Sequence, residues 1–213
     1  MLSNLKKIKY IFKNTSLDFK KVLACQLWSA ANLPSKNIPN LSKRIVLLLK
    51  SLLRTIYNSF VTTPIIKSVK KGKSNILIIR NHSRPNIENH VKHFENIDNT
   101  STCLFKNRKI KIDIFIFFSC IFFLLKFRKS WIEVFKFYKI KFFSINGFNV
   151  FIYFFNSLSD VIKILPNLLD YTKLVSFQEM VTVENIICQI AKNNNIKTFA
   201  LQHSISHYNE NVS

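Results

Sequence analysis

The 213-residue chain predicts an α/β fold, a parallel sheet with flanking helices, preceded by a basic helical extension. Three observations predict it. Residues 75–80 (Asn-Ile-Leu-Ile-Ile-Arg) are a short continuous apolar run, the pattern of a strand buried on both faces. Helix-start residues and a second apolar stretch, Ser101–Phe105, follow it at the spacing of a β-α-β unit. A second such unit occupies the end of the chain: Lys173–Phe177, an amphipathic stretch, then Ile196–Leu201. With only 2 Gly and 5 Pro, a turn-rich β-sandwich and a Gly-rich phosphate loop are both disfavoured.

Taken in order, residues 1–73 read as the helical extension. Phe19, Val22, Leu23 and Leu27 share one face of a helix over 18–33, and Pro34 and Pro39 break the chain after it. Ser42 is placed to cap a second helix to about Phe60, with Ile45, Leu48, Leu49, Leu52 and Ile56 at helical spacing. Lys70-Lys-Gly-Lys73 reads as a turn and sets the boundary, leaving 74–213 as the α/β domain. After the strand at 75–80, Ser83 and Pro85 suit a cap and a first turn, and Ile87, Val91 and Phe94 predict a helix over 85–96. Helix is expected from Lys111 to about Ile140 with a break near 126–129. A short strand over 141–145 and a helix over 150–164 follow, the latter ended or restarted by Pro166. Val183, Ile186, Ile187, Ile190 and Ala191 then fall at i, i+3, i+4, i+7 and i+8, a clean amphipathic helix stopped by Asn193-Asn-Asn195.

The charge is uneven. Residues 1–73 carry 15 basic side chains against 1 acidic, residues 74–143 carry 13 against 5, and residues 144–213 carry 4 against 5. Lys outnumbers Arg 26 to 6, which disfavours a nucleic-acid reader that would use bidentate Arg; no nucleic-acid partner is expected. Lysines among aromatic stretches suit the anionic face of a bilayer. Cys25, Cys103, Cys120 and Cys188 lie far apart in apolar segments, as buried thiols of a reducing compartment do, and neither a metal site nor a cofactor is indicated. Lys6, Lys7, Lys9 and Lys13 interrupt the first apolar residues, so no secretory h-region is expected. Ile114–Leu125 is strongly apolar, but twelve helical residues span ~18 Å against a hydrocarbon layer of ~30 Å. It reads as a buried or interfacial helix.

Parallel strands place chemistry at one edge. Gln178 and Glu179 leave the carboxyl end of one predicted strand, Gln202 and His203 leave that of its neighbour, and His82, Ser83 and Arg84 follow the strand at 75–80. Ligands of open α/β sheets bind outside that edge. Two histidines, an arginine, a carboxylate and amides suit hydroxyl-rich and phosphate-bearing ligands. His90 and His93 fall on the helix itself and read as surface residues.

The stretch Leu174–His203, and within it Ile196, Thr198, Leu201, Gln202 and His203, resembles the end of the N-terminal domain of GT-B-type bacterial transferases of surface polysaccharides. Capsule and lipooligosaccharide glycosyltransferases belong to that group, with the CDP-glycerol glycerophosphotransferases more distant. The family's Gly after Gln-His is Ser204 here. The resemblance implies a Rossmann-like acceptor-side domain, truncated after the Gln-His motif and lacking the donor-binding half, hence little activity alone. It implies catalytic roles for His203 and His82, and substrate binding by Arg84, Ser83, Gln178, Glu179 and Gln202. The implied partners are a glycan or lipid-linked acceptor, a nucleotide-activated donor held by a second domain, and an anionic membrane on whose cytoplasmic face the protein sits. Two rival readings stand beside it. One is a non-catalytic, basic peripheral membrane-binding or interaction protein. The other is a small polytopic membrane protein with 114–125 and 148–169 inserted.

Overall fold

A computed structural model describes residues 8, 10, 11, 13, 15–23, 40–68, 75–80, 89, 92, 93, 100–141, 143–177 and 182–200. Within them lie five strands and five longer helices. Helix α1 (Leu41–Phe60) leads into β1 (Thr62–Ser68), followed by β2 (Ile76–Arg80) and β3 (Thr100–Ile110). Helices α2 (Ile114–Lys126), α3 (Arg128–Phe137) and α4 (Ile145–Leu168) come next, then β4 (Lys173–Ser176), α5 (Thr182–Asn193) and β5 (Lys197–Ala200).

The sheet order is β1-β3-β2-β4-β5. β2 runs parallel to β3 and to β4, and β4 runs parallel to β5. β1 pairs antiparallel with β3, so the sheet is mixed rather than wholly parallel as the sequence predicts. The reason lies in residues 62–66 (Thr-Thr-Pro-Ile-Ile), a β-branched run in a region that otherwise reads as helix. Pro64 is tolerated because β1 is an edge strand, and the register shifts directly after it, between Pro64 and Ile65. The expected strand at 101–105 extends to Ile110 because β1 pairs along its whole length.

Residues from both sides of the expected boundary at 73 build one core. The rings of Phe19 and Phe154 approach to 5.7 Å, edge to face, and Phe19 and Val22 are buried with Leu77, Ile79 and Leu174 of the sheet. Asp18 caps the short helical stretch that follows it, accepting from the backbone N–H of Lys20 and Lys21. The N-terminal segment is also tied to α5: Thr182 Oγ1 donates to Val22 O over 3.2 Å, and Gln189 Oε1 accepts from Asp18 N over 2.7 Å. On the other face of the sheet Ile78, Val175 and Phe177 form a smaller cluster.

Further details depart from expectation. Helix α1 begins after Asn40 rather than Ser42, and Asn40 makes no side-chain cap. No strand forms at 141, 143, 144 or 145. Ser144 instead caps α4, accepting from Gly147 N over 3.1 Å, and Phe143 is 95% exposed, which no half-buried strand would allow. Pro166 lies inside α4, which continues to Leu168. The missing N–H costs one bond, and burial of Ile162, Leu165 and Leu168 outweighs it. The expected break in the helical stretch falls at Phe127, between α2 and α3. The helix expected over 85–96 lies outside the described residues except for Asn89, Lys92 and His93, which are helical. Cys103, Cys120 and Cys188 are buried free thiols, as read from the sequence. Among the described residues α4 alone is long and apolar enough to cross a membrane, and 61% of that stretch is buried inside the protein.

Candidate functional site at the carboxyl edge of the sheet

The polypeptide visits β2, then β3 on one side, then β4 on the other, so its winding reverses between β2 and β4. At that seam Ile79 pairs with Ser176, and Ser176 pairs with Ala200 of β5. The carboxyl ends of β2, β4 and β5 therefore share one edge, the place where an open α/β sheet leaves a crevice. β4 and β5, which the sequence reading requires to lie side by side and run the same way, are adjacent and parallel.

Two polar features sit at this edge. Arg80 ends β2 and is only 9% exposed. Ser176 ends β4, and its Oγ donates to Glu184 Oε2 over 2.6 Å. Both partners are fully buried, so the bond fastens the end of β4 to the first turn of α5. A buried carboxylate demands such a donor, and its place in the first turn adds favourable interaction with the helix dipole.

His82, Ser83, Arg84, Gln178, Glu179, Gln202 and His203, the residues expected to form the site, all lie outside the described residues. In the chain they follow Arg80, Phe177 and Ala200. Arg80 and Glu184 were missed as site residues. Arg80 had a signal, a charge closing a run buried on both faces; Glu184 had only its position between Val183 and the buried Ile186.

A second polar cluster lies inside the protein. Arg108 of β3 pairs with Asp160 of α4 and donates from Nη1 to Thr62 Oγ1 over 3.1 Å. Lys163, one turn along α4, donates to Asn58 O, and Ser59 Oγ donates to Ser159 Oγ over 3.1 Å. Burial pushes the Asp160 carboxyl above its ordinary range, against the pull of Arg108 and Lys163. Burial likewise lowers Lys163 to about 8 although Asp160 opposes it, and raises the Cys103 thiol to about 12. Cys120 is also pushed up by burial. Thiols held this far from ionisation are poor nucleophiles. The cluster ties α1, β1, β3 and α4 together and opens on no described cavity. Elsewhere a groove of about 620 Å³ has almost wholly apolar walls, among them Trp131, Phe135, Ile140 and Phe143. Lys136, Lys139 and Lys141 line it as well. Among the described residues no three His, Cys, Asp or Glu side chains are grouped to hold a metal.

Fold and edge together define an α/β protein with a mixed five-stranded sheet, flanking helices and a polar carboxyl edge. Compared with family models, curated proteins and solved structures, the chain finds no match.

Proposed function

We propose that the chain is a Rossmann-like, acceptor-side part of a glycosyltransferase-like protein of cell-surface polysaccharide biosynthesis. The observation that carries this reading is the shared edge where β2, β4 and β5 end, with buried Arg80 at the point of chain reversal. A guanidinium at a strand end suits the phosphate of a phosphorylated or lipid-linked glycan. Arg84 and Ser83, leaving the same strand, extend that contact, while Gln178, Glu179, Gln202 and His203 orient the sugar hydroxyls. In the complete reaction an acceptor hydroxyl oxygen bonds to the donor sugar's anomeric carbon as the bond to the nucleotide phosphate breaks. His82 takes the hydroxyl proton as the general base. In the glycerophosphotransferase variant of this reading the oxygen attacks phosphorus instead. The nucleotide-activated donor is held by a further domain.

Ligand-observed NMR with glucose 1-phosphate as probe tests the acceptor side. Arg80→Leu is expected to weaken binding about tenfold, the worth of one charge-assisted hydrogen bond. Equal binding by wild type and Arg80→Leu overturns the assignment. Robust turnover of a nucleotide sugar by the 213-residue protein alone overturns the acceptor-side reading.

A further inference from the structure

Helix α1 is built inside out. Its fully buried positions are the polar Thr55 and Ser59, while Leu41, Ile45, Val46, Leu49, Leu53 and Ile56 face solvent, Leu53 at 66% exposure. Helix α2 repeats the inversion by halves. Ile116, Cys120, Phe123 and Leu124 enter the core, and Phe115, Phe118, Phe122 and Leu125 form an exposed stripe at i, i+3, i+7 and i+10. The two helices meet where the rings of Phe60 and Phe117 stand 5.0 Å apart. In water, large contiguous apolar faces mark a binding surface, since burial is worth roughly 25 cal/mol for each Å².

Charge identifies the occupant. Helix α1 carries exposed Lys43, Lys50 and Arg54 and no acidic residue. Exposed Lys111 precedes α2, and Lys126, Arg128 and Lys129 cluster at its far end, while the acid between them, Asp113, is committed to capping α2. At 100° per residue Lys43, Lys50 and Arg54 group on one side of α1 and flank the apolar face of Ile45, Leu49, Leu53 and Ile56. At a bilayer surface the same side chains bury their stems and reach headgroup phosphates. Four basic residues within α1 forbid it to span, and thirteen residues make α2 about 20 Å long, short of the ~30 Å hydrocarbon layer.

We propose that the outward faces of α1 and α2 form a docking surface for an anionic phospholipid bilayer, both helices lying in the interfacial plane. This surface does not depend on the transferase reading: it stands or falls with lipid binding alone. The test is sedimentation of the full chain with phosphatidylcholine vesicles, with and without about one quarter phosphatidylglycerol. Binding is expected to weaken about tenfold without the anionic lipid or at about 0.5 M salt. Phe118→Ser/Phe122→Ser and Lys50→Glu/Arg54→Glu are each expected to lose about tenfold with unchanged circular dichroism. Independently of those substitutions, Phe118→Trp emission should shift to the blue on adding anionic vesicles and be quenched by nitroxides in the upper acyl chain. Undiminished partitioning by both double variants, or an unmoved Phe118→Trp emission, overturns the proposal. So does a dimer that the same substitutions dissolve in a protein without vesicle affinity, since the face would then belong to a second copy.

Discussion

Arg108, Asp160 and Lys163 illustrate how costly chemistry is held inside the protein. Asp160 is nearly inaccessible, and Arg108 offsets its desolvation through a direct charge-assisted bond. Lys163 is the weaker member, because burial lowers it to about 8 from an ordinary 10.5 in spite of Asp160. Between those two values the unfolded chain binds more protons than the folded one, so stability rises with pH through that window. We expect wild type to gain of order 2–3 kcal/mol on Lys163→Met as pH rises from about 8 towards 10.5. Urea denaturation of both proteins at several pH values reads the difference, and the cysteines, which titrate in both, cancel from it. Parallel curves would show that Lys163 keeps its ordinary pKa.

Helix ends and strand edges obey short-range rules that are visible residue by residue. Thr182–Asn193 was legible because its apolar positions repeat at helical spacing and each of them is buried. β1 was not, because a strand of mixed polar and β-branched residues containing a proline is recognisable only when β3 lies beside it. The expected strand near Ser144 fails for the converse reason: the serine side chain is used by the start of α4. Asp113 plays the same part for α2, accepting from Phe115 N over 3.1 Å. Asp113→Ala and Ser144→Ala are each expected to cost about 1 kcal/mol, measured by chemical denaturation. No loss in either variant would mean that water satisfies these helix starts equally well.

At the scale of the molecule, the N-terminal third is structural. It supplies an edge strand, the helix packed on α4, and Phe19 and Val22 of the core. A chain beginning at residue 74 is therefore expected to lose cooperative thermal unfolding and to aggregate, because β3 and the core-facing side of α4 would be uncovered. A sharp calorimetric transition from that shorter chain would show that 74–213 folds alone. The candidate site was legible to the level of its edge: strand ends at 80, 176 and 200 do converge. Its buried members, Arg80, Ser176 and Glu184, were not, since burial of a charge depends on neighbours distant in the chain.

By itself the sequence determined the α/β class, the parallel strands β2, β3, β4 and β5 and the basic, aromatic character of the chain. Each follows from local periodicity and from counts, which need no partner to be read. Only the tertiary structure decided that β1 closes the sheet antiparallel, that Asp160 faces Arg108, and that α1 and α2 turn their apolar sides to solvent. An amphipathic helix carries the same hydrophobic pattern whichever side it presents to the core. The choice rests on what packs against it, here a polar stripe of Thr55 and Ser59 seated on α4.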